Sequence, residues 1–214
     1  MTAVAVYTDV DGTLRRGSTI FDLLRYDADR SGRVAEGERF LRSLREAAAA
    51  GTPREVTNRR YFAWWRGRAV DDVARVARDW AAAGGPWAEQ PVPPVLAAVE
   101  RYRRAGARVV AVSAAFEPAL VGVRERWVEA DVLATRAVVR DGRYTGDVVE
   151  PLVGEAKARA VRIHAATHGI PLERCAGFGD HASDLPFLRA VGTGTRVGPG
   201  DRLVPVTRAV TRTL

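Results

Sequence analysis

Apolar residues in this chain first gather into a run, then recur every third or fourth position, then alternate between these two patterns. The opening run, Val4-Ala5-Val6-Tyr7, is rich in β-branched and aromatic residues and predicts a buried strand over about residues 3–9. From Ser18 to about Ala83 the spacing of three and four predicts only helices. Ser18 is placed to cap a helix carrying Ile20, Phe21, Leu23 and Leu24. Ser31-Gly32 breaks the chain before a helix with Phe40, Leu41 and Leu44. Gly51-Thr52-Pro53 breaks it again, with Thr52 a cap and Pro53 at the first helical position. Asp71 or Asp72 begins a helix through Val73, Val76, Ala77 and Trp80, and Gly84-Gly85-Pro86 ends the block.

Beyond Pro94 the two periods alternate. Leu96, Val99 and Tyr102 predict a helix, and Arg108 to Ser113 a strand. A helix is expected over Glu117 to about Trp127, then a strand and hairpin over 131–149 with Asp141-Gly142 as the turn. A helix from Gly154 to about His168 and a strand ending at Gly179 follow. A short helix over Asp184 to about Val191 and a short strand at 194–197 come last. Strand–helix alternation of this kind predicts an α/β fold, a mostly parallel sheet with helices on both faces. The helical block at 16–85 reads as an insert in a core made of 1–15 plus 86–214.

Composition narrows the class. No apolar run approaches the roughly 18 residues that cross a bilayer, and no charged-then-apolar leader precedes the first strand, so no membrane association is expected. The single cysteine, Cys175, cannot form an internal disulfide, which fits a cytoplasmic protein. A net charge of +7 admits a basic nucleic-acid-binding module. The arginines are interspersed with acids, however, with no zinc-ligand pattern, RNA-binding aromatic signature or basic tail, so a nucleic-acid partner is not expected. A positive field that draws phosphorylated metabolites fits the charge equally well.

Four segments carry candidate chemistry. The first strand delivers Asp9, Asp11, Gly12 and Thr13 at its carboxyl end, where open α/β sheets bind ligands. Adjacent carboxylates repel each other, and a divalent cation such as Mg²⁺ is the simplest counter-charge. Asp and Gly also favour turns, so the segment alone permits either reading. The second strand ends at Ser113, followed by Ala114, whose small side chain leaves backbone N–H groups open to an anion. Lys157 is the only lysine in a chain that writes every other basic residue as arginine, which suggests a need for a compact point charge. Gly177-Phe178-Gly179-Asp180-His181-Ala182-Ser183-Asp184 again places acids after a strand, although Asp184 also suits a helix cap.

In this order, the Asp-x-Asp-x-Thr strand end, the Ser-ended strand, the lysine and the Gly-Asp-x-x-x-Asp segment resemble the haloacid dehalogenase superfamily, in its phosphoserine-phosphatase-like branch. The resemblance spans nearly the whole chain. It implies a Rossmann-like, doubly wound core with an inserted helical cap of the C1 type, and a Mg²⁺-dependent phosphatase acting through an aspartyl-phosphate. Asp9 would be the nucleophile and Asp11 the acid and base, while Gly12, Thr13, Ser113 and Ala114 would hold the phosphate. Lys157 would neutralise charge. Asp9, the backbone carbonyl of Asp11, Asp180 and Asp184 would form the metal side. A phosphotransferase would use the same residues with an alcohol as acceptor.

The resemblance also implies an acid shortly after Thr13 to meet a substrate amine. This chain has Arg15-Arg16-Gly17-Ser18 there, which argues against phosphoserine as substrate. Arg15 and Arg16 are candidates for reading an acidic or multiply phosphorylated substrate. Trp64 and Trp65 are candidates for a pocket wall, with core packing as the competing explanation. His181 sits inside the acidic loop as a specificity or loop-orienting residue. His164 and His168 share a helix face with no ligand partner evident in the sequence.

Overall fold

A computed structural model describes residues 3–87 and 91–207. The ends of the expected core, and residues 88–90 beside its boundary with the insert, therefore lie outside the described residues. Strand β1 (Ala5–Thr8) leads into helices α1 (Thr19–Arg30), α2 (Val34–Ala49), α3 (Arg54–Tyr61) and α4 (Val70–Ala82). The chain then returns through α5 (Pro93–Arg104) and β2 (Arg108–Ser113). Next come α6 (Val121–Arg126), β3 (Asp131–Ala134) and the hairpin β4 (Ala137–Arg140) and β5 (Arg143–Val148). Helix α7 (Glu155–Thr167), β6 (Ala176–Gly179), α8 (Leu185–Ala190), β7 (Thr193–Gly198) and β8 (Arg202–Val206) complete it.

The main sheet has the order β3-β2-β1-β6-β7-β8. Every pairing is parallel except that of β7 with β8. The chain winds outward to one side of β1 and later to the other, so the order reverses between β1 and β6. That crevice, at the carboxyl ends of the strands, is where a fold of this type binds ligands.

Alternation along the strands divides the apolar residues between the two faces. Ala5, Tyr7, Val110 and Val112 pack with Ala158 and Val161 of α7 and Phe187 and Leu188 of α8. Val6, Val109 and Ala111 face α5 through Val95 and Val99, and this cluster runs on without a break into Leu23, Leu41, Trp65 and Val73 of the inserted helices. The insert is also tied to the hairpin by backbone bonds, Gly67 N to Tyr144 O at 2.8 Å and Tyr144 N to Arg68 O at 2.9 Å.

Several local expectations need correction. Ser18 makes no side-chain cap; the Thr19 amide donates to Asp11 Oδ1 at 2.8 Å instead. Pro53, not Thr52, precedes α3, and α4 begins at Val70, before either aspartate. The helix expected over 117–127 splits into a 3₁₀ turn, Glu117–Leu120, and α6. Strand β8 was not expected. Its Pro205 cannot donate to a ladder, but an edge strand tolerates it. Asp141 and Gly142 take positive φ at the hairpin turn, as expected. Among the described residues no helix is long and apolar enough to cross a membrane.

Candidate active site

The ends of β1, β2 and β6 and the first turn of α7 converge in the crevice. Asp9, one residue past β1, still pairs with β6 through its amide to Phe178 O at 2.9 Å. This fixes its carboxylate over the sheet. The Lys157 ammonium donates to Asp9 Oδ1 at 2.5 Å and to Asp184 Oδ1 at 2.7 Å. All three side chains are almost fully buried. Asp184 Oδ2 accepts the backbone amides of Asp180 at 3.2 Å and His181 at 3.0 Å. It thus organises the loop that presents Asp180, beyond any role as a helix cap.

Oxygens of Asp9, Asp180 and Asp184 lie within 4.8 Å of one another. Three carboxylates against one ammonium leave the cluster doubly negative, the balance that a divalent cation restores. Hard oxygen donors suit Mg²⁺, which keeps several waters and takes few protein ligands. The donor set therefore fits the cation. The chain approaches closely at Gly12, where φ is +84° and a Cβ would lie 2.2 Å from Asp180 Oδ2. Thr13 Oγ1 reaches towards Asp9 Oδ2 at 3.3 Å and Asp180 Oδ1 at 3.4 Å. Ser113 Oγ accepts the Ala115 amide at 3.1 Å, so its own proton is free to donate. Ala114 O is held by Asn58 Nδ2 at 2.9 Å and Thr135 Oγ1 at 2.8 Å.

Burial raises the Asp9 carboxyl above the usual carboxylate range; Lys157 opposes the rise and Asp184 adds to it. Burial opposes the charge on Lys157, but Asp9 and Asp184 outweigh it and hold the ammonium protonated. Asp11 is pushed up to about 6 by burial, against the Thr19 amide, which favours the anion. Its carboxylate does not join the metal-side cluster. It turns to the start of α1, accepting the Thr19 amide and, at 3.0 Å, the Thr19 hydroxyl. Of Asp11, only the backbone carbonyl remains a candidate for the metal side.

Of the four specificity candidates in the insert and the adjoining loop, Arg16 lines a pocket together with Gly12 and Asp180, while the other three are buried. Arg15 is buried and pairs with Asp22 at 2.6 Å, so it braces the entrance of α1. Arg16 is exposed; it pairs with Asp201 and donates to Pro91 O at 2.9 Å. Trp64 and Trp65 are buried in the insert's interior, and Trp64 Nε1 donates to Asp27 Oδ2 at 2.9 Å. For both, packing is the observed role. His181 is exposed, and its Nδ1 accepts the Ser183 amide at 3.1 Å, which makes it a loop-orienting residue.

Sequence reasoning missed Arg54 and Asn58 on α3. The Arg54 guanidinium acts on Asp180 and His181, lowering the pKa of both, although burial outweighs it at Asp180 and keeps that carboxyl raised. The Asn58 Oδ1 atom is buried with no hydrogen-bond partner among the described residues. The only signal was their place on a helix of the insert, Arg54 at its first position and Asn58 one turn on, which does not specify a facing.

Residues 6–189 match the family model of haloacid dehalogenase-like hydrolases. A probable phosphatase of Mycobacterium tuberculosis is 40% identical over 101 residues, covering 47% of this chain and 35% of that protein. The phosphoserine phosphatase SerB2 of the same organism is 30% identical over 197 residues, covering 87% of this chain and 42% of its own length. The chain spans about a third of the length of the first curated relatives it matches. Among solved structures, a protein of unknown function from Bordetella pertussis superposes with a TM-score of 0.77 at 21% identity, covering 94% of this chain and 93% of that one.

Proposed function

The chain belongs to the haloacid dehalogenase-like hydrolases, and from that premise we propose that it is a Mg²⁺-dependent phosphatase of a small phosphorylated metabolite. The observation that carries the reading is the buried bridge from Lys157 to Asp9 and Asp184, beside Asp180. A fold does not bury two carboxylates around one ammonium, with a third half-buried beside them, for stability alone, because desolvating such ions costs several kcal/mol each.

Asp9, the Asp11 carbonyl, Asp180 and Asp184 would hold the cation, which when bound offsets the repulsion between a carboxylate nucleophile and a phosphate. The Ser113 hydroxyl, the Ala114 amide and Lys157 bind the phosphoryl oxygens. A carboxylate oxygen of Asp9 bonds to phosphorus as the bond to the ester oxygen breaks, and Asp11 gives that oxygen its proton. Asp11, now ionised, takes a proton from a water. The resulting oxygen bonds to phosphorus, the Asp9–phosphorus bond breaks, and inorganic phosphate leaves. An Asp11 pKa near 6 suits a group that must both give and take a proton close to neutrality.

The insert meets the leaving-group side and selects the substrate through Arg54 and Asn58. Asp22, the acid on α1 that could receive a substrate amine, is already engaged by Arg15 and Arg25. Phosphoserine is accordingly a poor substrate. The test is phosphate release from p-nitrophenyl phosphate and a panel of sugar, cyclitol and amino-alcohol phosphates, with and without Mg²⁺. Activity that is absent throughout, or indifferent to both Mg²⁺ and Asp9→Asn, refutes the proposal. If phosphate appears only when an alcohol is also present, the chain is a phosphotransferase.

A further inference from the structure

Helix α7 carries two chemistries. Lys157 lies in its first turn, in the catalytic crevice. Seven residues further on, roughly 10 Å along the axis, His164 and His168 stand one turn apart on one face. That face meets the edge of the sheet at Asp131, the first residue of β3. The carboxylate and ring nitrogens of Asp131, His164 and His168 have ligand atoms within 4.8 Å of one another.

The surroundings hold the group in position. Tyr7, Val110 and Asp131 are register partners across β1, β2 and β3. The Tyr7 hydroxyl lies 3.0 Å from His164 Nδ1, which turns His164 Nε2 outward, 3.2 Å from Asp131 Oδ2. A metal-binding histidine donates its other ring N–H to a fixed acceptor, and the buried Tyr7 oxygen is placed to be that acceptor for Nδ1. The hydroxyl either donates to Nδ1 or accepts from it, so it holds the ring in either tautomer. Arg108 also bonds Asp131 through Oδ2, at 2.8 Å. Among the described residues Oδ1 accepts no hydrogen bond, so it is open to a cation. His168 is exposed, and its ring centroid is 4.5 Å from that of His164. It is therefore free to move inward the short distance that tetrahedral coordination at about 2.0–2.2 Å requires.

We infer that Asp131, His164 and His168 form a second metal site, for a divalent transition metal such as Zn²⁺. Two imidazoles and one carboxylate select such an ion over Mg²⁺, whose own ligands in this fold are all oxygens. A bound ion would pin the carboxyl end of α7 to the sheet edge, distinct from the phosphoryl-transfer centre and independent of the function proposed for it.

The test uses the whole chain, stripped with a chelator and returned to excess Mg²⁺ to fill the acidic cluster. ZnCl₂ is titrated by calorimetry and CoCl₂ by visible absorbance. One equivalent of Zn²⁺ should bind despite the Mg²⁺, and Co²⁺ should give the intense bands of a tetrahedral nitrogen–oxygen site. His168→Ala, at an exposed position, and Asp131→Asn should each weaken Zn²⁺ at least about tenfold and abolish the rise in Tm that Zn²⁺ gives the parent chain. Asp180→Asn should keep both the equivalent and the Tm rise. Zn²⁺ binding that survives His168→Ala but is lost in Asp180→Asn places the ion in the acidic cluster and overturns the inference, as does the absence of any Zn²⁺ equivalent.

Discussion

Replacing Gly12 by alanine separates backbone strain from chemistry. Gly12 and Gly51 share the same φ of +84°, a conformation that costs an L-residue about 1–2 kcal/mol. At Gly51, just past α2, an added Cβ meets nothing within 4 Å. At Gly12 it would sit 2.2 Å from Asp180 Oδ2, whereas Cβ contacts under 3.0 Å are essentially never seen, so the carboxylate must retreat by most of an ångström. Strain alone predicts that both variants lose about 1–2 kcal/mol, or roughly 2–8 °C in Tm for a chain of this size. Displacement predicts a further effect at Gly12 only. A metal-side group shifted this far should raise the half-saturating Mg²⁺ about 10–100-fold and lower kcat about 100-fold. The assay is p-nitrophenyl phosphate hydrolysis across a Mg²⁺ titration, with thermal melts of both variants. If Gly12→Ala matches Gly51→Ala within twofold in kcat and Mg²⁺ dependence, Asp180 does not hold the catalytic cation.

Asp9→Asn should keep the fold and lose several orders of magnitude in kcat, since an amide is a poor nucleophile and a poor Mg²⁺ ligand; stopped assays with a circular-dichroism control settle it. Lys157→Arg should be strongly impaired, because the two bonds at 2.5 and 2.7 Å fit an ammonium in a buried slot, not a planar fork; full kcat in this variant would show that charge alone suffices. Asp11 has a raised folded pKa, so the stability it contributes is present below about pH 4 and lost as pH rises through about 6. Asp11→Asn should therefore melt higher than the parent at pH 7.5 and flatten the Tm–pH profile between those values. The same variant should lose more activity on alkyl phosphates than on p-nitrophenyl phosphate, whose leaving group needs little protonation. Arg54→Ala should change kcat/KM by different factors across the substrate panel, and phosphoserine should not rank first in the parent; a uniform change would remove Arg54 from substrate selection.

Strand ends were legible because their chemistry is local. Asp9, Gly12, Thr13 and Asp180 follow apolar runs directly, and Lys157 stands out by composition. Pairings between distant segments were not legible. Asp131 is 33 residues from His164, and no periodicity links them. Trp64 and Trp65 give the same pattern whether they fill an interior or line a pocket; the Asp27 carboxylate beneath Trp64, two helices away in sequence, decides it. Arg15 reads as a charge for an acidic substrate because nothing in its neighbours announces that α1 will turn Asp22 back onto it. The insert and core read as separate units from helical spacing alone, whereas Tyr144 of the hairpin and Gly67 share a backbone bond that only the folded chain brings together.

The carboxylate of Asp11 is shared between two duties. It anchors α1 through both polar groups of Thr19, and on the proposed reaction it also shuttles the proton. An ionised carboxylate accepts both bonds, while a protonated one turns an acceptor into a donor and weakens that hold. The first helix of the insert is thus gripped most firmly while Asp11 is ionised, which on the proposed reaction is the interval in which a phosphorylated Asp9 would await water. It is gripped least when Asp11 carries the proton, the form in which it can serve as the acid for the leaving oxygen. One carboxylate would thus couple the proton step of the proposed reaction to the hold on the first helix of the insert.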